Sequence, residues 1–127
     1  MFNVNFDLTS GIIIIQPHEK LSSEDFHMVS DAIDPYIEKH GKLNGIIIAV
    51  KAFPGWDSLN AMVEHFRFVK AHHYKVSCVA IVTDSIVGEL GERIASHFVN
   101  ATIKHFAFGE LDNAKNWIKQ INCLPNE

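Results

Sequence analysis

Apolar runs of strand length alternate with helical patterns along this chain, and that alternation constrains the fold more than any other feature. Strand patterns occur at residues 12–15, 46–50, 76–82 and 102–108. Helical patterns follow them at residues 22–40, 58–72, 86–99 and 111–121. Strands that alternate with helices predict a mainly parallel sheet joined by right-handed crossovers.

A further strand precedes these elements. Residues 2–8 alternate apolar and polar side chains, which is the period of a half-buried strand. Thr9, Ser10 and Gly11 form a turn into the isoleucine run, so the first two strands are predicted to form a hairpin. The predicted fold class is α/β, a mixed, mainly parallel five-stranded sheet with four helices in the order β-β-α-β-α-β-α-β-α. All 127 residues are assigned to a single domain.

The first helix carries the clearest local signals. Ser22 and Asp25 match a capping box in an Asp variant, which predicts that the helix begins next to Ser22. Pro35 falls inside the pattern and is predicted to kink the helix or divide it. The apolar stripe that should face the core is Phe26, Val29, Ile33 and Ile37.

Composition bears on the partners and the location. The formal net charge of −4 argues against a nucleic-acid partner, which favours a basic surface. Cys78 lies in a strand pattern and is predicted to be a buried, inert thiol, and with Cys123 it forms neither a disulfide framework nor a zinc motif. The eight histidines match no compact metal site, so no metal and no cofactor are expected. No signal peptide or membrane span is recognised, which predicts a cytoplasmic protein that can attach peripherally to the inner membrane surface.

An aromatic loop follows the strand at residues 46–50 and is the candidate ligand site. Phe53, Pro54, Gly55, Trp56 and Asp57 place large apolar side chains where loops are normally polar. Ligands of open α/β sheets bind in crevices outside the carboxyl ends of the strands, which is where this loop should lie. The alternative is that both aromatic side chains tuck under the sheet as core.

The next two helices extend this candidate site. On the second helix, Phe68 is predicted to point away from the core stripe. This position indicates either contact with a ligand, a partner or a bilayer, or packing against a neighbouring helix. The third contains Gly88 and Gly91, which weaken it, and we expect the two helices to separate over an apolar crevice. The predicted ligand-binding residues are Phe53, Trp56, Asp57, Met62, Phe66, Phe68 and Leu90.

Two acidic residues are the candidates for an enzymatic role, which is a weaker hypothesis than ligand binding. Asp57 and Asp84 each follow a strand and precede a helix, where they would act as helix caps or as acid–base or metal-binding groups. Capping is the commoner role at such positions, and no catalytic residues are assigned.

The strand and helix order, the Phe53-Pro54-Gly55-Trp56 loop and the ending Asn113-Ala114-Lys115-Asn116-Trp117-Ile118 resemble the SpoIIAA-like family of the STAS superfamily. The resemblance implies helices packed against a mixed sheet, a fold shared with anti-sigma-factor antagonists and, in larger form, with CRAL-TRIO lipid-carrying domains. Those antagonists carry a phosphorylatable Ser in an Asp-Ser-Ser-Gly-like turn. Here Asp57 and Ser58 are followed by Leu59 and Asn60, which puts that phosphoswitch in doubt.

The leading hypothesis is a non-catalytic domain that binds an apolar or amphiphilic small molecule or associates with a membrane surface. The alternative is a regulatory module in which the same aromatic surface contacts a protein partner or a second copy of the chain.

Overall fold

One five-stranded sheet organises the molecule. The computed structural model describes residues 2–17, 20, 22–51, 64, 68, 75–84 and 102–122. Its strands follow the chain in the order β1 (Phe2–Asp7), β2 (Ile12–Pro17), β3 (Leu43–Ala49), β4 (Val76–Val82) and β5 (Thr102–Phe106). β1 pairs antiparallel with β2, and the remaining neighbours pair in parallel. The predicted mixed, mainly parallel sheet is therefore confirmed.

Two complete helices are described, α1 (Ser23–His40) and α2 (Leu111–Ile121). Glu64 and Phe68 are also helical and fall within the predicted second helix, whereas the predicted third helix lies outside the described residues. Of the four helices predicted, the structure thus describes two in full. No helix within the described ranges is long and apolar enough to cross a membrane.

The predicted capping box starts α1. The Ser22 hydroxyl accepts a hydrogen bond from the Asp25 backbone N–H, and the Asp25 carboxylate accepts one from the Ser22 backbone N–H. A kink or a division was predicted at Pro35, and the helix runs unbroken through this residue, so the division does not occur. Asp31 and Pro35 are both exposed, so the Asp31 carbonyl that loses its helical partner can bond to water instead.

Each face of the sheet carries its own core because side chains alternate across a strand. On the first face, the α1-side core, the predicted stripe of α1 packs against strand residues that include Ile13, Ile46 and Val79. On the second face, the α2-side core, the helix contributes Ala114 and Ile118 against Ile12, Ile14, Ile47, Ala80 and Val82. Burial on both faces explains why β2, β3 and β4 are almost continuously apolar.

β3 begins earlier than the sequence pattern predicts. The Asn44 side chain donates to the Ser10 carbonyl at 2.7 Å, which fastens the start of the strand to the β1–β2 turn. Gly45 faces α2, and a Cβ on it would lie 2.7 Å from two carbons of Ile118. The strand therefore starts at Leu43, because Asn44 and Gly45 contact distant segments of the chain instead of forming a turn.

Candidate functional site

The carboxyl ends of β3, β4 and β5 form one hydrogen-bonded edge. The Val50 N–H donates to the Val82 carbonyl at 3.0 Å, and the Thr83 N–H donates to the Phe106 carbonyl at 3.0 Å. The Thr83 hydroxyl, whose residue is 1% exposed, donates to the Lys51 carbonyl at 3.2 Å. The aromatic loop that begins after Lys51 is thus attached to a fixed platform.

Most of the predicted ligand-binding residues lie outside the described part of the chain. This group comprises Phe53, Trp56, Asp57, Met62, Phe66 and Leu90. Their assignment as a site stays a prediction, as does the proposed separation of the second and third helices.

Phe68 is the predicted site residue that the structure does place. Its ring centroid lies 6.2 Å from that of Phe26, and its side chain is partly buried against the α1-side core. One turn earlier, Oε2 of Glu64 lies 3.6 Å from Nε2 of the exposed His27 on α1. Because α1 follows β2, its first turns lie at the carboxyl edge of the sheet. Phe68 therefore packs against a neighbouring helix beside that edge, which is one of the two roles expected for it, and its contact with a ligand stays a prediction.

Asp84 has a defined partner at the same edge. One carboxylate oxygen accepts a hydrogen bond from the Phe108 backbone N–H at 3.1 Å and ties the end of β4 to the turn after β5. Among the described residues, no group of His, Cys, Asp and Glu side chains is arranged to hold a metal ion. The geometry of Asp84 is that of a loop-fixing residue.

A second candidate site, which we call the β5–α2 cleft, lies on the opposite side of the sheet from α1. It is an open cleft of about 530 Å³. From β5 it is lined by Lys104, His105 and Phe106, and from the following turn and α2 by Glu110, Asn113, Asn116, Trp117 and Gln120.

Two aromatic rings form the apolar part of the β5–α2 cleft. The centroids of Phe106 and Trp117 are 5.9 Å apart with the rings tilted by 59°. Phe106 is buried and Trp117 is half-buried, so the indole keeps accessible surface toward the cleft. The Lys104 ammonium lies 5.3 Å from the centroid of the Phe106 ring, within the range of a cation–π contact.

The cleft is lined by two side chains of opposite charge, Lys104 and Glu110. The Ala107 N–H and the Asn113 amide donate to the Glu110 carboxylate, and these bonds hold the pKa of Glu110 below its ordinary value. The nearby Lys104 and His105 side chains lower that pKa further. Glu110 is therefore an anion at neutral pH and offsets the charge of Lys104.

His105 also has a fixed orientation. Its Nε2 lies 2.8 Å from the Thr83 carbonyl oxygen, which can only accept a hydrogen bond. Nε2 therefore carries the hydrogen, and Nδ1 is the acceptor when the ring is neutral.

This cleft was not predicted as a site from the sequence, although a signal for it was present. Asn113, Asn116, Trp117 and Gln120 are spaced i, i+3, i+4 and i+7, which places them on one face of α2. That face is polar except for a tryptophan, whereas Ala114 and Ile118 form the separate sheet-facing stripe. The other half of the cleft comes from β5, and only the fold brings the two together.

Comparison with known proteins identifies the family. The fold is similar to the crystal structure of an uncharacterized protein of the DUF3478 family, with a SpoIIAA-like fold, from Shewanella loihica PV-4. The TM-score is 0.69 at 19% identity, covering 93% of this chain and 92% of that one, which is a likeness of fold alone. No curated protein matches this sequence. The SpoIIAA-like family model matches residues 12–119, most of the chain, and the chain belongs to the SpoIIAA-like family.

Proposed function

We propose that this chain is a non-catalytic binding domain that takes an apolar or amphiphilic small molecule, or a membrane surface, at the carboxyl end of β3. In this proposal the apolar contact is supplied by the aromatic residues Phe53, Trp56, Phe66 and Phe68. Asp57 faces the polar part of the ligand in this proposal.

The contact between Phe68 and Phe26 is the observation that carries the proposal. It brings the helical residues Glu64 and Phe68 against the first turns of α1, at the edge of the sheet where β3 ends. The hydrogen bonds among Val50, Thr83 and Lys51 support it further, because a pre-formed platform lowers the cost of ordering a binding loop. A net charge of −4 favours zwitterionic over anionic bilayers.

Tryptophan fluorescence tests this proposal, since Trp56 and Trp117 are the two tryptophans in the chain. In a Trp117→Phe protein, we expect the emission of Trp56 to shift to the blue with phosphatidylcholine vesicles or lysophosphatidylcholine. The matched control is Trp56→Phe, in which Trp117 is the reporter and its emission should stay unchanged. Native mass spectrometry of the purified protein should show a bound amphiphile that organic solvent extracts. An empty protein whose Trp56 emission ignores vesicles and micelles contradicts the proposal.

A regulatory protein-interaction module is the second candidate, and the exposed Phe108 favours it. This side chain is 41% exposed at the edge of the sheet where β3, β4 and β5 end. Large aromatic side chains anchor many protein interfaces. Sedimentation velocity of the wild type and of Phe108→Ser distinguishes self-association from a monomer, and a dimer that Phe108→Ser dissociates favours the interaction module over the ligand-binding domain.

A further inference from the structure

We propose that the β5–α2 cleft binds a neutral, polyhydroxylated ring, the chemistry of a saccharide. This site is independent of the proposed function, because the cleft lies on the α2 side of the sheet whereas Phe68 packs on the α1 side. Three properties of the cleft lead to this ligand class: its aromatic wall, its unpartnered amides and its balanced charge.

The aromatic wall suits the C–H face of a sugar ring. Trp117 is supported from behind by Phe106 and keeps part of its indole surface toward the cleft. A ring held in this way presents a flat apolar surface and an N–H donor at its edge. Sugar rings offer a matching pair, an apolar face of C–H groups and a rim of hydroxyls.

The amides suit hydroxyl groups. Asn116 and Gln120 are exposed, and neither side chain has a hydrogen-bond partner among the described residues. Each amide offers a donor and an acceptor, and a hydroxyl also donates and accepts, so each can make a pair of bonds to one sugar. The Glu110 carboxylate accepts two hydrogen bonds from the protein and has lone pairs left for a hydroxyl.

Charge and polarity disfavour the competing ligand classes. A phosphate would meet Glu110, which stays ionised, as well as Lys104. A lipid chain would cover the amides of Asn116 and Gln120 without replacing their bonds to water, which costs free energy. A neutral ligand with many hydroxyls avoids both penalties.

NMR spectroscopy of the ¹⁵N-labelled protein tests the proposal directly. The probes are the methyl glycosides of glucose, galactose and mannose, with maltose and cellobiose as longer chains. We expect one of them to cause saturable shifts of the Trp117 indole and of the Asn116 and Gln120 side-chain amides, with a Kd of about 1–10 mM. The Trp56 indole, assigned from a Trp56→Phe sample, should not move.

Variants at exposed positions localise the binding. Asn116→Ala and Gln120→Ala should each weaken it by about fivefold, the effect of one lost hydrogen bond. Asn5→Ala is the matched control, because it removes an exposed amide on β1, far from the cleft, and should leave the Kd unchanged. The absence of saturable shifts at about 100 mM of every probe overturns the proposal. Equal binding by all variants also overturns it, as does inorganic phosphate shifting the same resonances.

Discussion

Replacing Gly45 by alanine should destabilise the protein through one defined clash. The new Cβ would lie 2.7 Å from Cδ1 and from Cγ2 of Ile118 and 3.2 Å from its Cγ1, where ordinary contact begins near 3.4 Å. Ile118 is 0% exposed, so it cannot turn outward into solvent to relieve the clash. Over-packing of this kind costs about 1–3 kcal/mol, which lowers the Tm of a domain of this size by about 4–12 °C.

A double-mutant cycle with Ile118→Val isolates the clash. Valine lacks Cδ1 and alone should cost about 1 kcal/mol, the usual effect of Ile→Val in a core. In the Gly45→Ala background the same truncation removes one of the two closest contacts, so it should cost almost nothing. The coupling free energy should therefore be about 1 kcal/mol, measured by urea unfolding followed by circular dichroism.

Gly109→Ala is the matched control for the Gly45 prediction. A Cβ at Gly109 would meet nothing within 4 Å, so this substitution should change the free energy of unfolding by less than about 1 kcal/mol. If Gly45→Ala is as stable as Gly109→Ala, or if the two changes in the cycle are additive, α2 does not pack on β3 in the way described.

Three further outcomes follow from single positions. Hydrogen bonds from Ser10 and Thr9 lower the pKa of Asp7, so its stabilising effect is complete above the unfolded-state pKa and is lost as the pH falls through the folded-state value. Asp7→Asn should therefore lower the urea midpoint at pH 7 and reduce the further decrease below about pH 4. Burial raises the pKa of the Cys78 thiol, so in a Cys123→Ser protein Ellman's reagent should react with it only after unfolding, and rapid reaction in native buffer would contradict its burial. Pro35→Ala should stabilise the exposed side of α1 by about 1 kcal/mol or more, seen as a higher Tm, and an unchanged Tm would mean that water already replaces the lost bond fully.

Local patterns were sufficient to predict most of the described part of the fold. The capping box at Ser22, the extent of β4 and the bounds of α2 depend on side-chain periodicity and capping, and the structure confirms them. The early start of β3 was not predictable because Asn44 and Gly45 look like turn residues until Ser10 and Ile118 are placed beside them.

For β5 and the candidate sites too, local patterns predicted only the features that do not depend on particular side-chain contacts. β5 ends at Phe106, two residues before the predicted end, because the Ala107 N–H bonds to the Glu110 side chain instead of extending the ladder. The β5–α2 cleft combines residues of a strand and a helix, and the polar face of α2 alone did not indicate its partner. The aromatic loop at Trp56 was recognised from side-chain type, and its role stays a prediction.

The coverage of the second sheet face has a consequence for protein synthesis. Among the described elements, α2 alone lies on that face, and the ribosome completes all five strands before it begins this helix. Until α2 has been released from the ribosome and has docked, no other described element covers the apolar surface that includes Ile12, Ile47 and Val82. Such a surface binds chaperones or aggregates. Within the described part of the chain, the 11 residues of α2 are thus what shields this face of the sheet from water.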